Sequence, residues 1–193
     1  DTASWSLSSA ASSGTASMDA GTGFLSYVPN ADFSGSDRVT VLLTDGGGLT
    51  DSLEVVLTVN PVNDAPVIVQ GDGPLPYFPF EDTNFTIDLN ATDVDGDVLS
   101  WSIASDPSHG VASVVPGTGE VLYTPNTNYE GNDSIIVSVS DGYLTDSVAL
   151  SLNLTGVNDS PDSISSVNQL FVSEGLAVGS FVGQLLTTDP DDV

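Results

Sequence analysis

Cysteine is absent from the 193 residues, so neither a disulfide nor a thiolate metal site can form. Positive charge is almost as scarce. Lys+Arg number 1 against Asp+Glu 27, and Arg38 is that one residue, giving a formal net charge of −26. Phosphate binding needs Lys and Arg, so nucleic acid is excluded as a partner, and an anionic membrane surface with it. His109 is the sole histidine and cannot make a zinc set. It is expected on the surface. Serines are plentiful, but none has a base partner that would make it a nucleophile, so no enzyme activity is expected. No apolar run nears 18 residues, and no signal segment or membrane span is read here. The apolar share is nonetheless 39%, enough for a core. The carboxylate excess allows two readings, a solvated acidic face or a set of divalent-cation ligands.

The chain repeats itself. The segment from Trp5 matches the segment from Trp101, an offset of 96. Gly14 aligns with Gly110, Gly23 with Gly119, and Tyr27-Val28-Pro29-Asn30 with Tyr123-Thr124-Pro125-Asn126. After Asp45-Gly46 and Asp141-Gly142 one Gly is lost, and Thr50-Asp51-Ser52 meets Thr145-Asp146-Ser147 at an offset of 95. A third copy starts near Pro161, where Asp189-Pro190-Asp191 matches Asp93-Val94-Asp95. The expected division is the later part of one repeat in 1–62, a whole repeat in 63–159 and the opening strands of a third in 160–193. The chain is therefore expected to be a fragment of a longer array.

Apolar residues alternate with period two, the mark of half-buried strands. Val148, Leu150, Leu152 and Leu154 form one inward set, matched by Leu53, Val55, Leu57 and Val59. Ile135, Val137 and Val139 form another, and residues 85–91 and 99–103 read as further strands. Gly117-Thr118-Gly119 and Gly21-Thr22-Gly23 read as hairpin turns. Six or seven strands in about 100 residues argue for an all-β, antiparallel, immunoglobulin-like sandwich in tandem copies. Trp5 and Trp101 are expected in the core. In Gly73-Pro74-Leu75-Pro76-Tyr77-Phe78-Pro79-Phe80, Phe80 is expected to pack inward, the alternative being an exposed aromatic recognition patch.

The acids gather at strand ends and linkers. Asp93, Asp95 and Asp97 share one loop with Gly96; Asn63-Asp64 and Asn158-Asp159 sit in the linkers; Asp141 ends a strand and Glu81 precedes one. With Val62-Asn63-Asp64-Ala65-Pro66, Val157-Asn158-Asp159-Ser160-Pro161, Asp93-Val94-Asp95-Gly96-Asp97, Asp189-Pro190-Asp191-Asp192 and Ser140-Asp141-Gly142, the chain resembles the cadherin-like tandem repeats of large bacterial surface proteins and adhesins. The resemblance covers essentially the whole chain, and its strength is the recurrence of weak motifs in one order.

The resemblance implies Ca2+ at the junctions between repeats. Junction one would draw on Asp37, Asn63, Asp64, Asp93, Asp95 and Asp141. Junction two would draw on Glu81, Asp133, Asn158, Asp159, Asp189 and Asp191, with Glu130 a further candidate. The Arg-containing acidic motif of animal cadherins is not matched; Asp37 and Asp133 are its nearest substitutes, and one ion per junction is expected. On the residues alone, the same acids could instead cap turns. The implied function is a calcium-rigidified rod of cell-surface or extracellular location, serving cell adhesion or biofilm contact. Its partners would be neighbouring repeats of the same or an adjacent chain, with a cell-surface protein or polysaccharide as target. The alternatives are a filament subunit assembling head to tail by strand complementation and a carbohydrate-binding module.

Overall fold

The computed structural model describes residues 2–161, 163–166 and 184–188. The chain divides into two compact units, Asp1–Asp64 and Ala65–Val193. All regular structure among the described residues is β-strand.

Unit 1 holds β1 (Ser4–Ser9), β2 (Gly14–Met18), β3 (Leu25–Pro29), β4 (Gly35–Thr44) and β5 (Thr50–Val59). They form a sheet in the order β1-β4-β5 and a β2-β3 hairpin. Unit 2 continues with β6 (Val67–Ile68), β7 (Leu75–Tyr77), β8 (Phe85–Asp88), β9 (Ala91–Thr92), β10 (Ser100–Ser105), β11 (Gly110–Val114), β12 (Glu120–Pro125), β13 (Gly131–Ser140), β14 (Thr145–Leu154), β15 (Ser163–Ser166) and β16 (Leu185–Thr188). Its sheets run β10-β13-β14-β7 and β11-β12-β8, with the small pairs β6-β9 and β15-β16.

The repeat in the sequence becomes a repeat in register. Ser4 faces Thr44 as Ser100 faces Ser140, and Gly14 faces Pro29 as Gly110 faces Pro125. Each copy even has its irregularity at the same place, between Leu7 and Ser9 and between Ile103 and Ser105.

In unit 2 the two larger sheets bury one shared cluster. β13 contributes Ile135, Val137 and Val139, and β14 contributes Val148, Leu150, Leu152 and Leu154. Ile68, Ile87, Leu89, Trp101, Val121 and Tyr123 complete it from elsewhere in the unit. Strict alternation puts every second residue of β13 and β14 into this layer, and each fully buried aliphatic side chain contributes about 1.5–3 kcal/mol. Gly119, at φ +78°, lies where a Cβ would come within 2.9 Å of the Trp101 ring, so the turn glycine also makes room for the core indole.

Some details differ from expectation. Residues 85–91 do not form one strand. β8 pairs with β12, and the chain then crosses to pair β9 with β6, so the hydrogen-bonding partner changes at Leu89 and Asn90. Phe80 does not pack inward; it is 57% exposed, because the inward positions fall on Leu75, Tyr77 and the buried Pro79. Trp101 is buried in the core, whereas Trp5 is half-buried, and Leu53 of the expected inward set is exposed.

Each unit is anchored by a carboxylate inside a strand. Asp133 is 7% exposed and accepts from Ser108 N, His109 N, Ser134 N and Tyr123 Oη, at 2.8, 2.9, 2.9 and 2.9 Å. Asp37 repeats this with Ser12 N, Ser12 Oγ, Ser13 N, Arg38 N and Tyr27 Oη. At Gly110 a Cβ would sit 2.6 Å from the Tyr123 ring, and at Gly14 the same distance from Tyr27. Glycine is needed there so that the tyrosine can reach its aspartate.

Burial raises the Asp133 pKa, but the donors at Ser108, His109, Ser134 and Tyr123 outweigh it and hold the group below the usual carboxylate range. Burial and the adjacent Asp133 charge push the Tyr123 phenol upward. The aspartate's contribution is thus present above its unfolded pKa of about 3.9 and lost as pH falls through the lower folded value. The tyrosine's is present below about 10 and lost as pH rises through its higher folded value. Thermal unfolding followed by circular dichroism should show both limbs. Asp133→Ala should lower stability at neutral pH by about 3 kcal/mol, because several buried donors lose their acceptor.

Candidate metal centre

The loop after β9 brings Asp93, Asp95 and Asp97 together, with one carboxylate oxygen from each within 4.8 Å of the others. The loop builds itself around Asp93. Its Oδ1 accepts Asp95 N, Gly96 N and Asp97 N at 2.9, 3.1 and 3.3 Å, and Gly96 turns the chain at φ +79°. Asp93 Oδ2 is buried and has no hydrogen-bond partner. It is the only such cluster of acids among the described residues. Oxygens bound to one calcium ion at 2.3–2.6 Å lie at most about 5 Å apart, so the spacing suits a shared hard cation.

A second acidic grouping lies at the other end of unit 2. Glu81 is buried and its Oε1 accepts Val157 N at 2.7 Å, tying it to the segment after β14. A Cβ on Gly156 would meet Glu130 Oε2 at 2.7 Å and Glu81 Oε1 at 3.4 Å. Gly156 therefore lets two carboxylates close on the backbone just before Asn158-Asp159. In both linkers the Asn amide nitrogen donates to the next carbonyl, Asn63 Nδ2 to Asp64 O at 2.9 Å and Asn158 Nδ2 to Asp159 O at 3.1 Å.

The other expected ligands have different surroundings. Asp37 and Asp133 are the anchors described above. A carboxylate offers about four lone-pair sites, and each of these already accepts at least four hydrogen bonds. The donors point positive N–H and O–H ends at the oxygens, where a cation would be repelled. Glu130, by contrast, stands beside Glu81 at Gly156. The position of Glu130 is Ser34 in unit 1. Asp141 Oδ1 caps its turn, accepting Tyr143 N and Leu144 N at 2.6 Å each. Asp189 and Asp191 lie outside the described residues.

The anchors had a signal in the sequence, since a Tyr stands ten residues before an Asp in both copies, Tyr27 to Asp37 and Tyr123 to Asp133. His109 also differs from expectation. It is half-buried and stacks on Tyr129, with ring centroids 4.0 Å apart and planes 4° from parallel.

The sequence profile of the bacterial Ig domain matches residues 1–58 and 63–153. The chain belongs to that family. Among curated proteins, this bacterial Ig-type chain is similar to Protocadherin-like wing polarity protein stan of Drosophila melanogaster, 26% identical over 190 residues. That match covers 89% of this chain and 5% of the relative. Cadherin-related family member 1 of Rattus norvegicus is 32% identical over 107 residues, covering 53% of this chain and 12% of the relative. The chain therefore spans only a small part of these relatives. In fold it is similar to human CDH23 EC21-23, at TM-score 0.64 and 16% identity over 98% of this chain and 69% of that one. The protocadherin gammaB7 EC3-6 cis-dimer structure aligns at TM-score 0.58 and 18% identity, over 97% and 51%. The chain is thus a cadherin-like, Ig-type repeat, a kind characteristic of extracellular adhesion proteins.

Calcium is the ion such repeats imply, and the residues present suit it. The donor set is all oxygen, and one carboxylate oxygen is buried without a donor. Three carboxylates this close repel one another when no cation lies between them. Asp93→Asn keeps the Oδ1 acceptor but removes one charge. In chelator it should melt at a higher temperature than the parent chain, a gain that differential scanning calorimetry would detect and that added salt should shrink.

Proposed function

We propose that the chain is a calcium-stiffened spacer of an extracellular adhesion-type protein. The observation that carries this reading is the Asp93-Asp95-Asp97 cluster with its buried, donorless Asp93 Oδ2. At junction one the ion would be held by Asp93 and Asp95 with linker residues Asn63 and Asp64, and by Asp141. At junction two it would be held by Glu81, Glu130, Asn158 and Asp159 with the matching acids of the next repeat, Asp189 and Asp191. Calcium supplies positive charge and a demand for six to eight oxygens, which one loop cannot meet alone. Acids from adjoining repeats are then better together than apart, and a linker that self-repulsion would loosen becomes a stiff joint. The repeat boundaries 1–62, 63–159 and 160–193 belong to the same reading, each Asn-Asp pair marking a joint. A stiff array of this kind holds a binding domain away from the cell, for contact with another cell or a biofilm matrix.

Extracellular modules bind calcium with dissociation constants of about 10⁻⁴ to 10⁻³ M. At about 10 mM calcium, mass action then stabilises the folded chain by about 1.4–2.7 kcal/mol, a rise in Tm on the order of 10 °C. Calorimetry with calcium and with chelator should show that rise, and Asp93→Ala with Asp95→Ala should abolish it. Small-angle scattering should give a longer particle with calcium. Equal Tm in both conditions would sink the reading.

A further inference from the structure

The outer surface of the β10-β13-β14-β7 sheet has no charged residue at its paired outward positions, in a chain whose Asp+Glu number 27. On β13 the outward residues are Asn132, Ser134, Ile136, Ser138 and Ser140. On β14 they run in the same manner from Ser147 to Asn153, with Ala149 and Ser151 between. β10 adds Ser100 and Ser102, opposite Ser140 and Ser138. The fold does not demand this. At the matching places of unit 1, Arg38 stands for Ser134 and Glu54 for Ala149, and the two form an ion pair at 2.9 Å.

An aromatic edge borders this surface. β7 runs parallel to β14 with Pro76 facing Ser151, and the bridge from Phe80 to Thr155 keeps the same register. Phe78 therefore lies in the row of Asn153 and Asn132, and Phe80 in the row of Thr155. Both rings point away from the core, Phe78 being 70% exposed, because Tyr77 and Pro79 take the inward places. Beside Phe78, Asn153 Nδ2 donates to Asn132 Oδ1 at 2.8 Å. The bond fixes both amides and leaves Asn132 Nδ2 to donate and Asn153 Oδ1 to accept. Unit 1 has Ser36 and Thr58 at these two places.

Chemistry sorts the candidate occupants. A net charge of −26 repels nucleic acid and acidic polysaccharide. A partner strand has little to pair with along β7, since Pro74, Pro76 and Pro79 have no N–H. Protein interfaces are depleted in serine, the residue that predominates on this face. Sugar hydroxyls, by contrast, exchange hydrogen bonds with serine and amide groups at no cost in charge. A pyranose with equatorial hydroxyls also has an apolar C–H face that stacks on an aromatic ring. Phe78 and Phe80 are two residues apart on an extended segment, about 6.6 Å, which is on the order of one such ring.

We propose that this face binds an uncharged polysaccharide of flat pyranose rings, of the β-linked glucan class. Phe78 and Phe80 stack on successive rings, and the Asn132–Asn153 pair bonds the hydroxyls of the ring over Phe78. The repeat then grips a glycan in addition to spacing domains. The binding does not rest on calcium, because none of the candidate cation ligands lies at these outward positions.

Affinity electrophoresis of the full chain tests this, in native gels cast with hydroxyethylcellulose or laminarin and with anionic carboxymethylcellulose as control. Retardation is expected in at least one neutral glucan and not in the control. It should be equal with calcium and with chelator, which keeps the outcome separate from the calcium reading. Phe78→Ala with Phe80→Ala should abolish it. Asn132→Ala with Asn153→Ala should weaken the affinity about tenfold. Ser134→Arg with Ala149→Glu, which copies the ion pair of unit 1, should also abolish it. All three pairs change outward side chains, so Tm should stay close to that of the parent chain. Retardation that is unchanged in the Phe78 and Phe80 variant, or equal in carboxymethylcellulose, would overturn the proposal. Retention on a phenyl resin without retardation in either neutral glucan would assign the face to an apolar protein partner and overturn it too, as would no binding at all.

Discussion

Carboxylates in this chain have almost no cationic side chain to turn to. Arg38 meets Glu54 at 2.9 Å in an exposed pair, the only salt bridge among the described residues and one worth little to stability. Backbone N–H groups therefore do the neutralising. Asp37 and Asp133 gather amide donors inside the sandwich, and Asp19, Asp45 and Asp141 do so in turns. The constraint sorts the acids by role. Those whose oxygens are all supplied with donors are structural, and those that converge without enough donors mark where a cation would be welcome. Asp93 combines both roles, with Oδ1 shaping the loop and Oδ2 buried without a donor.

The same accounting connects the two ends of unit 2. Glu81 spends one oxygen on Val157 N, fixing the segment that leads into Asn158-Asp159, and Gly156 leaves room for Glu130 beside it. The unit thus presents acids at its own linker and a carboxylate loop after β9. The two units share registers and anchors.

The all-β class, the tandem period and the long strands were legible in the sequence, because alternation of Ile135, Val137 and Val139 with polar neighbours fits only a half-buried strand and the same order returns 96 residues away. The Asp93-Asp95-Asp97 loop was legible for a similar reason, since closely spaced acids with a glycine among them can fold onto one point. The short strands β6, β7 and β9 have two or three residues each, too few for any period to show. Phe80 was misplaced because it lies past the end of β7, where the inward face cannot be read from the hydrophobic residues alone.

What an acid does was decided only in three dimensions. Asp133 and Glu130 stand three residues apart with the same charge. One lies at an inward position of β13 beneath Ser108, His109 and Tyr123, which saturate it. The other is exposed beside Gly156. The sequence by itself determined the strands, their repeat and the supply of oxygen ligands, since these depend on local pattern and composition. Tertiary structure decided which oxygens already hold a proton donor and which do not, because those donors come from backbone brought together across the sandwich from distant parts of the chain.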